Sequence, residues 1–264
     1  MSRYLLDNAD ARTRARFDAL NATYDAASHT ALDATGVTTG WRCWEVGAGD
    51  GGIGRWLSDR VGEHGSVLIT DIDTRWVRAC ERANTTVLVH DVVDDEPPGD
   101  GFDLIHARLV LVHLPRRQAV LDRLLACLRP GGRLVLEEFD LELRLTTSAG
   151  DPTSRATFEA VHQPFMRLLE SRGADLAWTR SLPEDFTARG LRDVTVRTHT
   201  QLWRGGEDHI ALHRANIGQV AELLLDQGVS PHELDRFHAL LDDPRFAVWS
   251  YTLVSTSGRL RPES

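Results

Sequence analysis

Hydrophobic positions in this chain switch between two spacings, and the switch predicts alternating helices and strands. Residues 3–28 carry Leu5, Leu6, Phe17, Leu20 and Tyr24 at helical spacing among arginines and acids. A second short helix is predicted over 29–35, stopped by Gly36. Trp41-Arg42-Cys43-Trp44-Glu45-Val46 then reads as a short buried strand running straight into Gly47-Ala48-Gly49-Asp50-Gly51-Gly52. A helix with Ile53, Trp56, Leu57 and Val61 inward follows. The rhythm repeats: a strand over 66–70 ending at Asp71, a helix over 74–83, and a strand over 86–89 ending at His90-Asp91. A polar loop (DDEPPGDG), a strand over 102–106, a helix over 116–128, an Arg-Pro-Gly-Gly turn and a fifth strand over 133–138 complete the series. Such alternation implies a mostly parallel sheet with right-handed crossovers.

Beyond residue 140 the rhythm changes. Helices are predicted over 153–172, 181–189, 207–227 and 231–241, and strands over 194–203 and 246–255. With no repeat or linker composition, the whole of 1–264 reads as one domain. Its segments are an N-terminal helical lid (1–36), a ligand-binding core (37–140) and a C-terminal part with the last strands and cap helices (141–264).

Composition narrows the chemistry. All 30 basic residues are arginine, so the lysine of a Walker A loop, of a pyridoxal Schiff base or of a Tyr-x-x-x-Lys pair is unavailable. A net charge of −9 argues against a nucleic-acid partner. The absence of long apolar runs argues against a membrane span. The N-terminus has no apolar signal core, and Cys43, Cys80 and Cys127 stand far apart, which suits a reduced, cytoplasmic setting without structural zinc. His209 and His213 stand four apart on a predicted helix, but no third ligand is evident and no metal is expected.

The glycine turn carries the strongest signal. Gly47, Gly49 and Gly52 satisfy G-x-G-x-x-G between a strand and a helix, and Asp71 lies near the spacing of a ribose-binding acid. A nicotinamide dinucleotide is one reading. Glu45, directly before the turn, would face its pyrophosphate unfavourably and suits a ligand with an ammonium group and no phosphate. Asp91, ending the third strand, supplies a second acid that can accept from an adenine amino group.

In order and spacing these segments resemble the class I S-adenosylmethionine-dependent methyltransferases. EVGAGDGG (45–52) is similar to that family's first motif, LITDID (68–73) to its second and VLVHDV (87–92) to its third. FDLIHARLVLVHLP (102–115) and LLACLRPGGRLVLEEFD (124–140) resemble the fourth and fifth segments. The resemblance implies an α/β, Rossmann-like, seven-stranded, mostly parallel sheet with an antiparallel last strand, flanked by helices and carrying helical cap insertions. It implies S-adenosyl-L-methionine as cofactor, held by Glu45, Gly47, Ala48, Gly49, Asp71, Ile72, Asp91, Val92, Ala107 and Arg108, with Tyr4 closing from the lid. Tyr4-Leu5-Leu6, the arginine-rich first helix and HARLVLVHLP also resemble bacterial small-molecule methyltransferases of specialised metabolism. The expected partner is therefore a small methyl acceptor, with a homodimer allowed if the lid serves a neighbour.

In-line displacement needs alignment first and a base only for some acceptors. His113 and Glu138 are the candidate catalytic groups. Trp178, Trp203, Phe165 and Met166 are candidates for an apolar acceptor wall. The same fold binding the same cofactor can instead serve a cyclisation or rearrangement without methyl transfer.

Overall fold

The computed structural model describes residues 5–6, 12–142 and 151–262. Its elements in chain order begin with α1 (Thr13–Asp33), β1 (Arg42–Val46), α2 (Gly52–Val61), β2 (Ser66–Asp71), β3 (Thr85–Val89), β4 (Phe102–Arg108), α3 (Arg117–Ala126) and β5 (Leu128–Asp140). They continue with α4 (Pro152–Ser171), α5 (Leu182–Ala188), β6 (Arg192–His199), β7 (Leu202–Arg204), α6 (Ala211–Gln219), α7 (Ala221–Asp226), α8 (Pro231–Asp242), β8 (Ala247–Trp249) and β9 (Thr252–Arg259).

Two compact units emerge. Of the described residues, the larger takes those within 25–140, 176–199 and 253–262, and the smaller those within 5–24, 141–175 and 200–252. The segment limits drawn from sequence, at 36 and 140, follow the chain; the units interleave it.

In the larger unit seven strands form one sheet in the order β3-β2-β1-β4-β5-β9-β6. The pairs β1–β2, β2–β3, β1–β4 and β4–β5 are parallel, and β9 runs antiparallel to β6. This is the expected mostly parallel, Rossmann-like sheet with an antiparallel last strand. Strand alternation sorts the side chains onto two faces. Trp44, Val46, Ile105, Ala107, Leu134 and Leu136 pack on one face with α3 and α5. Cys43, Leu104 and Val135 pack on the other with Leu32 of α1 and Ile53, Leu57 and Val61 of α2.

The smaller unit contains α4, α6, α7, α8 and the antiparallel β7–β8 pair. Helix α8 opens on a capping box in which Ser230 Oγ accepts from the Glu233 N–H and the Glu233 carboxylate accepts from the Ser230 N–H. Among the described residues no helix is long and apolar enough to cross a membrane.

Several predicted elements are redrawn. The helices expected over 3–28 and 29–35 are one helix from residue 13 to 33, because no breaker intervenes before Gly36 at φ 82°. The helix expected over 74–83 is a run of turns with one 3-10 turn over Arg78–Cys80. Here the Thr85 hydroxyl draws the Arg82 N–H into a turn at 2.6 Å. The strand expected over 133–138 extends back through Arg-Pro-Gly-Gly by way of a register shift against Phe102–Leu104. The helix expected over 207–227 breaks at Val220 into α6 and α7 after a 3-10 turn over Asp208–Ile210.

The strands expected over 194–203 and 246–255 each divide in two, into β6 and β7 and into β8 and β9. Both break at the same level, where the Gln201 N–H donates to Ser250 Oγ (3.0 Å) and the Ser250 N–H donates to the Gln201 carbonyl (2.8 Å). Alternation continues through such a break, so the pattern alone does not mark it.

Candidate active site

The carboxyl ends of β1, β2, β3 and β4 lie side by side in the larger unit, which is where parallel sheets of this type take ligands. The turn after β1 places Gly47, Gly49 and Gly51 in the left-handed region, at φ 63°, 59° and 77°. At Gly47 a side chain is excluded twice over, since a Cβ would also approach Val110 Cγ2 to 2.4 Å.

Asp71 ends β2 and is 6% exposed. Its Oδ2 accepts from the Gly49 N–H and its Oδ1 from the Asp73 N–H, both at 2.9 Å. Burial raises its pKa, while these backbone donors act in the opposite direction. Each oxygen retains a lone pair, so the carboxylate can still accept from a diol. Ile72, beside it, is 52% exposed, and Val89 at the end of β3 is also exposed. Asp91 caps its own turn, with Oδ1 accepting from the Val93 N–H at 2.8 Å and its N–H donating to Asp95. Val92 is half-buried next to it. Ala48 is half-buried, and its N–H donates to the Thr70 carbonyl.

Glu45 is almost fully buried, and its Oε2 lies 2.6 Å from His106 Nδ1. His106 Nε2 lies 3.1 Å from Glu137 Oε2, and Ser255 Oγ donates to the other Glu137 oxygen. Register explains the arrangement. Glu45 and His106 are direct cross-strand partners, and Glu137 lies two residues beyond Val135, the partner of His106. All three therefore share the face of Cys43 and Leu104. Burial alone would push the imidazole towards neutrality, but Glu45 and Glu137 prevail and raise it to about 9. Burial likewise opposes the Glu137 carboxylate, which His106 and Ser255 nonetheless hold below its ordinary range. Two carboxylates against one imidazolium leave the region beneath the glycine turn anionic.

Ala107 is fully buried. Arg108, on the face of His106, donates from Nη1 to Asp25 (2.8 Å) and Ser28 (3.1 Å) of α1. Glu138 points to the opposite face from Glu137 and is fully buried. Its Oε1 accepts from the Leu111 N–H (2.7 Å) and the Val110 N–H (3.3 Å). Oε2 has no hydrogen-bond partner among the described residues. Burial pushes the Glu138 pKa up to about 8. His113 closes the same 3-10 turn, Leu111–His113, and is half-buried.

Tyr4 lies outside the described residues. Trp178 packs in the core of the larger unit beside Leu182 and Phe186. Phe165 and Trp203 are buried in the smaller unit, and Met166 is half-buried. His209 and His213 find separate partners, Thr23 Oγ1 at 3.1 Å and the Tyr251 hydroxyl at 3.2 Å. Sequence reasoning missed His106, Glu137 and Ser255. A usable signal was present: a histidine inside the apolar run FDLIHAR lies in a buried strand and must find polar partners.

The donor set fits a nucleoside with a cationic tail. It offers acids for a diol and an amino group, exposed aliphatic side chains for a base and an anionic floor. Residues 44–134 match a family model described as a methyltransferase domain. The ubiquinone/menaquinone biosynthesis C-methyltransferase UbiE of Pseudomonas savastanoi pv. phaseolicola is 24% identical over 231 residues, covering 82% of this chain and 85% of that one. Among solved structures, a Bacillus halodurans putative methyltransferase aligns with a TM-score of 0.57 at 12% identity, covering 89% and 98% of the two chains. A Haemonchus contortus phosphoethanolamine N-methyltransferase, solved with phosphomonomethylethanolamine and S-adenosylhomocysteine, aligns with a TM-score of 0.52 at 17% identity. That alignment covers 86% of this chain, which spans half the length of the nematode protein.

Proposed function

We propose that the chain is a class I S-adenosylmethionine-dependent methyltransferase and that it methylates a small organic molecule. The observation that carries the reading is the Asp71 carboxylate, buried at the end of β2 and fixed by the Gly49 N–H of a strand–turn–helix glycine loop. When bound, S-adenosylmethionine supplies an electrophilic methyl carbon on a sulfonium.

The protein's own residues then bind and align. Asp71 accepts from the ribose hydroxyls, Ile72 covers the base, and Asp91 with the Val92 backbone meets the adenine edge. The backbone of Gly47, Ala48 and Gly49 leaves room for the ribose and the amino-acid tail. Glu45 gives the floor its negative charge, suited to an ammonium or sulfonium. Ala107 contributes backbone at the end of β4, and Arg108 contributes a guanidinium for a carboxylate. Holding nucleophile, methyl carbon and sulfur in line accounts for most of the rate. Glu138, with one free oxygen and a pKa raised to about 8, can hold or accept a proton near neutrality. His113, on the adjoining turn, orients the acceptor.

A small acceptor suits the net charge of −9, which disfavours a polyanion. A specialised metabolite fits the likeness of the first helix and of residues 106–115 to bacterial enzymes of that kind. Calorimetric titration with S-adenosylmethionine, S-adenosylhomocysteine and NADH tests the cofactor side. Binding of the two sulfur nucleosides without NADH is expected. Binding of NADH alone would overturn the reading. On the acceptor side, product mass is expected to rise by one methyl group; an unchanged mass with a rearranged skeleton would overturn methyl transfer.

A further inference from the structure

Two buried side chains of the larger unit, His106 and Glu137, have no part in the function proposed above. His106 Nδ1 meets Glu45 Oε2 at 2.6 Å, and its Nε2 meets Glu137 Oε2 at 3.1 Å. To donate from both nitrogens the ring must be an imidazolium. One imidazolium offsets one carboxylate. The second, on Glu137, is fully buried and keeps its charge through neutral donors as well as the ring: Ser255 Oγ of β9 and Ser28 Oγ of α1. Ser28 in turn accepts from Arg108 Nη1 at 3.1 Å, but that guanidinium also bonds Asp25 at 2.8 Å.

The charges around this network do not cancel. Glu45, Glu137 and Asp25 are its carboxylates and His106 and Arg108 its cations, which leaves one negative charge over. Burial lowers the pKa of His29, beside Ser28, so it adds no cation at neutral pH. Asp50 and Arg55, both close to Gly52, offset each other. A buried charge without a counter-charge is costly, and an apolar residue at 137 would pack with Cys43, Leu104 and Val135 without that cost. His106 keeps the surplus in place. Two facing carboxylates without a cation would share a proton and lose the charge. Bridged by the ring, which the carboxylates hold protonated up to about pH 9, both stay ionised. The surplus therefore stands ready beneath the glycine turn, two residues before which Glu45 leaves β1.

Loaded and spent cofactor differ by one such charge. S-adenosylmethionine carries an ammonium, a carboxylate and a sulfonium; S-adenosylhomocysteine keeps the first two and is neutral overall. In transfer the acceptor's electron pair bonds the methyl carbon, the carbon–sulfur bond breaks and its pair returns to sulfur. The positive charge passes to the acceptor, which leaves with it or sheds it as a proton to water. We propose that the Glu45–His106–Glu137 triad reads the charge of the cofactor, favouring the sulfonium over the neutral thioether and so releasing spent cofactor after transfer. The proposal rests on the reading of the chain as an S-adenosylmethionine-dependent enzyme. Glu45 is the member next to the turn. His106 and Glu137 are positioning residues that hold it and set the charge of the group.

The test is calorimetric titration of the full chain with S-adenosylmethionine, S-adenosylhomocysteine and sinefungin, an unreactive analogue with an amine cation where the sulfonium stands. The two cationic ligands are expected to bind about tenfold more tightly than S-adenosylhomocysteine, the lower end for a buried charge pair. The preference is expected to persist in about 1 M salt, where the Debye length is about 3 Å and the chain's net charge of −9 is screened. Glu137→Gln keeps the shape and an oxygen for His106 but removes the surplus charge. It is expected to weaken both cationic ligands about tenfold and to leave S-adenosylhomocysteine unchanged. A role in packing alone would weaken all three alike, and that result would overturn the proposal. If none of the three binds the parent chain, the cofactor reading itself falls. If they bind but S-adenosylhomocysteine is equal or tighter, or the preference vanishes in salt, the reading stands and charge selection by the triad falls. These comparisons on the parent chain decide the matter even if the variant fails to fold.

Discussion

Two carboxylates show how local surroundings decide what an acid does. Asp71 and Glu45 both stand at strand ends beside the glycine turn, yet Asp71 is held by backbone N–H groups and Glu45 by a charged ring. Asp71→Ala removes the acceptor proposed for the ribose and leaves the Gly49 N–H without its partner. S-adenosylhomocysteine affinity is expected to fall by about 1–3 kcal/mol, roughly 5- to 150-fold, in a calorimetric titration. Unchanged affinity would remove Asp71 from the site. His106 is a different case, because its role is to neutralise. His106→Leu leaves Glu45 and Glu137 buried side by side without a cation. It is expected to lose about 3–5 kcal/mol of stability in urea unfolding at pH 7. A loss below about 1 kcal/mol would mean that the carboxylates take up a proton and need no imidazole.

At the scale of elements, the cofactor half was legible because its devices are local. A buried strand, a glycine turn and a helix follow each other within 20 residues, and the acids stand at strand ends that alternation places directly. What escaped was non-local. Glu45 meets His106 through strand pairing across 61 residues, and Ser255 meets Glu137 across 118. No spacing rule joins such residues. The breaks at Gln201 and Ser250 were hidden because both halves of each strand keep the same alternation. The glycine turn itself offers an element-level test. Gly47→Ala imposes a side chain at φ 63° and drives Cβ to 2.4 Å from Val110 Cγ2. A loss of about 1–3 kcal/mol in stability is expected. Adding Val110→Ala removes the clash but not the backbone strain, so the double variant should recover part of the loss. Strict additivity in that double-mutant cycle would show that the turn relaxes without touching Val110.

Over the whole molecule, the buried titratable groups set opposing pH dependences. Glu138 and His106, in the larger unit, have folded pKa values raised to about 8 and about 9, above ordinary values of 4.5 and 6.5. A raised group gives its full stabilisation below the ordinary value and loses it as pH rises through the folded one. Glu138 therefore withdraws stability from about pH 4.5 to 8, and His106 from about pH 6.5 to 9. His213, in the smaller unit, is lowered, so its share is present above pH 6.5 and is lost on acidification. At about 1.4 kcal/mol per pH unit, the larger unit should lose about 2 kcal/mol from Glu138 and about 3 kcal/mol from His106 between pH 6.5 and 9. Urea unfolding at those two pH values, on the parent chain and on Glu138→Gln, separates the two shares. The amide keeps an oxygen for the Leu111 N–H but cannot ionise, so the variant should lose only the His106 share. A flat profile in the parent would refute both assignments. An equal fall in parent and variant would leave His106 as the whole cause and return Glu138 to the role of an uncharged cap on the Leu111–His113 turn.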